Sequence, residues 1–173
     1  MIVHLDHPAE KIAEWFFSFY GIKRKVYMPT IAIMIGIQGS GKSTFCREHL
    51  DAYRRISLDE LHTRNKENLA VTEAFANRID FVIDNTNPTI DDRKRYLVLA
   101  KEHSYRAVGY FMQSRISECI ERNQLRTGKA RVLAKAIAAT SNRLQMPSLE
   151  EGFDELYFVS ITGSGFRIEE WRE

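Results

Sequence analysis

Ile31-Ala32-Ile33-Met34-Ile35-Gly36-Ile37-Gln38-Gly39-Ser40-Gly41-Lys42-Ser43 is the stretch on which the fold turns. Its first five residues form an unbroken apolar run. A strand with one wet face would alternate, so the run predicts a central parallel strand buried on both faces. The next eight read Gly-x4-Gly-Lys-Ser, the Walker A pattern, without deviation. The pattern starts where the strand ends and opens a helix over 43–52, which is the setting that gives such a loop its meaning. Glycines let the backbone turn tightly, so that successive N–H groups point inward at phosphate oxygens. The helix that follows adds its N-terminal partial positive charge. Gly36, Gln38, Gly39, Ser40, Gly41, Lys42, Ser43 and Thr44 are therefore the candidate nucleotide-binding residues. Lys42 is expected on the β- and γ-phosphates and the Ser43 hydroxyl on Mg²⁺, which makes ATP and Mg²⁺ the expected ligands.

Outward from this stretch, strands and helices alternate. Residues 54–57 read as a short second strand, 66–77 as a helix and 79–84 as a third strand. Thr89 offers an N-cap, with Asp91 and Asp92 in the first turn, for a helix to about residue 103. A fourth strand is predicted at 105–112. A helix at 116–126 is broken by Thr127-Gly128-Lys129 and resumes over 130–145, and a fifth strand follows at 156–161. This alternation implies an α/β three-layer sandwich, a parallel sheet of five strands covered on both faces. Residues 122–146 read as a helical lid. Ahead of it all, 8–20 predicts an appended helix opened by Pro8, with Ile12, Trp15, Phe16, Phe19 and Tyr20 on one face. The chain thus divides into an N-terminal extension, 1–30, and one catalytic-sized domain, 31–173.

Composition narrows the classes. The 173 residues are 44% hydrophobic and 28% charged, with a formal net charge of +2; they fit one globular domain and neither demand nor exclude nucleic acid. Cys46 and Cys119 stand far apart with no CxxC pattern, as expected of reduced thiols in a cytoplasmic protein. No run approaches the ~18 apolar residues of a membrane helix. His4, His7, His49, His62 and His103 show no metal-binding spacing.

The acidic and basic candidates each carry two readings. Asp84 ends the third strand, at the carboxyl edge where ligands bind in open α/β sheets. There it can hold Mg²⁺ as a Walker B carboxylate, or simply cap a loop. Asp59, just past the second strand, can accept the proton of an attacking hydroxyl. Equally, Asp59 or Ser57 can N-cap a short helix through Leu61. Arg122 and Arg126 share a helix face and can stabilise charge on a transferring phosphoryl group, while Glu118 offers Arg122 an ordinary surface pair. Arg93, Lys94 and Arg95, on the helix after Asp84, read mainly as a basic surface, with one of them facing the acceptor as the alternative.

Together these residues resemble the kinase module of polynucleotide 5′-hydroxyl kinases and their zeta-toxin-like relatives. The resemblance rests on the loop through Phe45, on Leu58-Asp59-Glu60, and most specifically on Val82-Ile83-Asp84-Asn85-Thr86-Asn87-Pro88. Arg122-Asn123, Arg126 and Pro147-Ser148-Leu149-Glu150-Glu151-Gly152-Phe153 are similar to later segments of that family, so it spans 31–172. It implies strand order 2-3-1-4-5, transfer from ATP to a 5′-hydroxyl, Asp59 as general base, and Arg126 with Arg122 on the triphosphate. Two departures stand out. His62 occupies the place of an acceptor-binding arginine, for which Arg64 is the candidate substitute, and the lid lacks a proline that relatives often carry.

The leading expectation is an ATP-dependent kinase acting on the 5′-hydroxyl of DNA or RNA. A kinase of the same superfamily acting on a nucleoside, sugar or antibiotic is the alternative. A regulatory module that binds nucleotide without transfer is the reading from another class, and intact Lys42, Ser43, Asp59 and Asp84 argue against it. Nothing in the sequence identifies the acceptor or the oligomeric state.

Overall fold

In the computed structural model, which describes residues 27–172, the opening apolar run becomes β1 (Thr30–Ile35), buried at every position. The helix expected at 8–20 lies outside the described residues. Around β1 lie β2 (Arg54–Ile56), β3 (Phe81–Ile83), β4 (Arg106–Met112), β5 (Glu155–Thr162) and β6 (Gly165–Glu170), in the order β2-β3-β1-β4-β5-β6. The first five strands run parallel in the expected order. β6 corrects the expected count of five: it pairs antiparallel with β5 through the two-residue turn Gly163-Ser164. What holds it is packing. Phe166 meets Phe45 edge-on at 5.3 Å between ring centroids, and Trp171, just beyond the strand, meets Phe111 at 5.5 Å.

Alternation along β1 supplies both cores. Ile31, Ile33 and Ile35 face one side, against Val71, Ala74 and Phe75 of helix α3 (Arg64–Ala76) and Tyr96, Leu97 and Ala100 of α4 (Ile90–Glu102). Ala32 and Met34 face the other side, against Phe45 and Cys46 of α1 (Lys42–His49). Each fully buried isoleucine contributes about 1.5–3 kcal/mol, so β1 is the mechanical centre of the sheet. Both cysteines are free and buried.

Caps set the helix starts. Thr89 caps α4 through a reciprocal pair with Asp92, as the sequence suggests. α3 begins at Arg64, two residues earlier than expected, because the Thr63 hydroxyl accepts from Lys66 N. A four-residue helix, α2 (Leu58–Leu61), fills the turn before it.

The segment expected to form a lid, 122–146, is not one resumed helix. α5 (Ile116–Gln124) and α6 (Ala134–Arg143) are helical, but a 3-10 turn at Gly128–Ala130 and extended backbone through Leu133 separate them. Asn123 imposes the extension by bonding Val132 both ways, Nδ2 to its carbonyl at 2.7 Å and Oδ1 from its amide at 3.0 Å. A side chain that satisfies the backbone so well competes with helix. A small cluster of Ile37, Cys119 and Ile137 then seats the lid on the loop after β1.

Candidate active site

The carboxyl ends of β1, β2 and β3 open onto a cleft of about 1100 Å³. Gln38, Gly39, Gly41, Lys42, Ser43, Thr44, Asp59, Asp84 and Arg126 all line it. A shallower groove of about 710 Å³ between α3 and α4 contains none of these residues.

The loop after β1 is built for close approach. Gly39 has φ +81, and a Cβ there would lie 2.3 Å from the Cys119 carbonyl oxygen of α5, so glycine is required on two counts. Gly36 N donates to Thr86 O at 2.9 Å, which ties the start of the loop to the segment after Asp84. Gly41 caps α1 in a left-handed conformation, and no side chain caps that helix. Its N-terminal field is left to a ligand.

Lys42 is buried, with Nζ donating to Gly36 O at 2.9 Å and Ile37 O at 2.7 Å. Burial pushes its ammonium down to about 8, opposed by the nearby Asp84 carboxylate. A strained charge of this kind gains most from a polyphosphate. Gln38 Oε1 is buried without a hydrogen-bond partner among the described residues. Such an atom is uncommon in a folded protein, and a bound donor would satisfy it. The donor set therefore fits a magnesium nucleotide: an uncapped helix N-terminus, a buried lysine, an orphaned amide oxygen, the Ser43 hydroxyl and the Asp84 carboxylate. Among the described residues no group of three or more His, Cys, Asp or Glu side chains could hold an ion unaided.

Asp84 is buried and accepts from Arg55 Nε at 2.7 Å through Oδ2. Arg55 also pairs with Glu60. Asp59 sits in the second position of α2, exposed to the cleft, with Ser57 rather than Asp59 at the N-cap. No hydrogen bond or ion pair engages its carboxylate among the described residues. Ser57 holds the N-cap position, but its hydroxyl is buried and unpaired, so neither residue caps the helix through its side chain. α2 is held beside Asp84 by Asn85, whose Oδ1 accepts from Leu58 N at 2.9 Å while its Nδ2 donates to Glu67. Glu67 is fully buried and also receives Arg64, Arg95 and Tyr96 OH.

The two lid arginines part company. Arg126 is exposed, lines the cleft and has no ion-pair partner among the described residues. Arg122 points into the loop instead, with Nε on Gly39 O at 2.8 Å, and its Nη1 lies 3.5 Å from Glu118. His62 ends α2 in a left-handed conformation on the cleft wall. Arg64 lines the same wall, fixed by Glu67 at 2.7 Å and Tyr96 OH at 3.3 Å. Arg93 is not part of a basic surface: it is fully buried in a two-point pair with Glu151.

Sequence reasoning overlooked Arg55 and Glu67, and quoted Asn85 only as part of the segment after Asp84 without giving it a role. Period-two alternation puts Arg54 and Arg55 on opposite faces of β2, which was the available signal for Arg55. A buried Glu in an exposed-looking helix leaves no such trace.

A Walker-type loop between a buried strand and its helix, on a parallel sheet of order β2-β3-β1-β4-β5, defines a P-loop kinase fold. The chain belongs to the AAA domain family (AAA_33), which it matches over residues 31–147. It is 33% identical over 130 residues, 71% of the chain, to the bifunctional polynucleotide phosphatase/kinase of Schizosaccharomyces pombe, and the match spans 31% of that protein. Among solved structures, Chaetomium thermophilum Kti12 in complex with ADP-AlF3 superposes with TM-score 0.57 at 16% identity, over 78% of this chain and 92% of that one. A gluconokinase from Sinorhizobium meliloti 1021 gives TM-score 0.54 at 18% identity, over 77% and 83%. The chain therefore spans about a third of the curated relative and most of each structural neighbour.

Proposed function

We propose that the chain transfers the γ-phosphate of ATP to the 5′-hydroxyl of a polynucleotide, with Asp59 as general base. One observation carries this reading: an unpaired carboxylate, Asp59, faces the same cleft as Lys42, Ser43 and Asp84. The likeness to a polynucleotide phosphatase/kinase supports the choice of acceptor.

Lys42 leaves the loop carbonyls for the β- and γ-phosphates, and α1 contributes its N-terminal field. Ser43 and Asp84 would hold Mg²⁺, which neutralises charge on the phosphates when bound. Asp59 takes the acceptor proton as the hydroxyl oxygen forms its bond to the γ-phosphorus. The bond from that phosphorus to the β–γ bridging oxygen breaks, and ADP leaves. Arg126 stabilises the charge spread over the transferring group. Arg122 acts from behind, by holding Gly39.

A second reading, a small-molecule kinase, draws on the cleft wall itself: among the described residues lining it there is no Phe, Tyr or Trp, and His62 is the one aromatic ring. Single strands usually bind by stacking on such side chains. The test is incubation with γ-labelled ATP, Mg²⁺ and a 5′-hydroxyl oligonucleotide, with Lys42→Ala and Asp59→Asn alongside. Label on the oligonucleotide, lost in both variants, is expected. ATP hydrolysis that needs Lys42 but labels no oligonucleotide would shift the reading to a small acceptor.

A further inference from the structure

Arg55 lies where neither the loop nor the lid requires an arginine. It reaches from β2 to Asp84, donating through Nε to Oδ2 at 2.7 Å, and turns its remaining fork toward Glu60. The Asp84 side chain is 1% exposed and that of Arg55 27%, so the pair is only partly open to solvent. No donor among the described residues reaches the other Asp84 oxygen. A buried carboxylate without a positive partner is costly; Lys42 lies near Asp84, and Arg55 is the cation that hydrogen-bonds it.

The same pairing opposes a divalent cation. A cation on Asp84 would stand within a few ångströms of a guanidinium that cannot lose its proton. Their repulsion lowers affinity unless further negative charge arrives with the ion. A triphosphate supplies that charge.

We propose that Arg55 makes Asp84 a conditional metal ligand, shielding it from free divalent cations and yielding it when the cation comes bound to nucleotide. This rests on the reading of the cleft as a magnesium-nucleotide site. Arg55 is thus a positioning residue that sets the order of loading. Its bond to Glu60 gives the guanidinium a second anchor, so it can release Asp84 without being left unpaired.

The experiment titrates the purified chain with Mn²⁺ alone, following the free-ion signal by electron paramagnetic resonance. Arg55→Gln is expected to bind Mn²⁺ at least about tenfold more tightly than wild type, and adding Asp84→Asn to it is expected to abolish the gain. Arg55→Lys keeps the charge but not the fork, and is expected to give a smaller gain of about threefold; it serves if the glutamine variant does not fold. No gain in either variant overturns the proposal, as does a gain that survives Asp84→Asn. Binding of ADP with Mg²⁺ to wild type, measured by calorimetry, separately tests the nucleotide-site reading.

Discussion

Arg122 on α5 donates through Nε to the carbonyl oxygen of Gly39 at 2.8 Å, so this helix grips the backbone of the loop after β1 rather than its contents. Arg126, two residues past the end of that helix, lines the cleft with no ion-pair partner among the described residues. The shared helix face expected for the two arginines is not formed, because α5 ends at Gln124, and the two have different work. Arg122→Ala is expected to loosen the loop and weaken ADP binding about tenfold. Arg126→Ala is expected to leave ADP binding within about threefold while lowering turnover about a hundredfold. Calorimetry with ADP, paired with steady-state rates, separates the two; equal effects on both quantities in both variants would contradict the division.

Gly39 provides a sharper test of the same contact. Alanine there would place its Cβ 2.3 Å from Cys119 O and would have to hold φ +81. The obstacle is backbone, which cannot swing aside as a side chain can. Gly39→Ala is expected to cost about 3 kcal/mol in urea unfolding and to abolish measurable nucleotide binding. A variant with wild-type stability would show that α5 yields easily, and the lid would then be a looser element than its packing suggests.

What could be read from the sequence follows a physical division. β1 and the loop after it are local: an apolar run, then glycines whose spacing has one good use. Asp84 and Asp59 are local too, since each ends or follows a strand and topology puts strand ends on one edge. β6 escaped because its hold is tertiary, Phe166 reaching Phe45 across the sheet. The lid was read as a resumed helix because Asn123 binding Val132 is a contact that propensity does not register. Arg55, Glu67 and Arg93 were missed or misread for one reason. Charged residues default to the surface, and partners distant in sequence, Asp84, Asn85 and Glu151, help draw these three inward.

Arg93 offers a stability prediction independent of nucleotide. Its guanidinium is fully buried, bonds Glu151 at 2.7 Å through both Nε and Nη2, and donates to Asn87 O, Pro88 O and Gln145 O. It thereby joins α4, the loop after Asp84 and the chain leaving the lid. Glu151→Ala strands a buried charge and is expected to cost about 3–5 kcal/mol in urea unfolding. Replacing both partners, Arg93→Met with Glu151→Leu, is expected to recover part of that loss. No recovery would mean that the three carbonyls, not the carboxylate, are what the fold needs from Arg93.

Lys42 ties the site to pH. Burial pushes its ammonium down to about 8 from the usual 10.5, against the pull of Asp84. For a base whose folded value lies below its unfolded one, the cost of burying charge is present below about pH 8. That cost is relieved as pH climbs from there toward 10.5, so by this group alone the free protein gains stability with alkalinity. Nucleotide binding runs the other way, because phosphates need the charged form. ADP affinity is expected to hold up to about pH 8 and then fall, approaching tenfold per unit, with proton uptake on binding visible as a buffer-dependent heat. Lys42→Arg keeps its charge throughout, so whatever affinity it retains should not fall over this window. A wild-type profile that stays level well above pH 8 would place the Lys42 ammonium at its ordinary value, and the cradle would then be wetter than its burial implies.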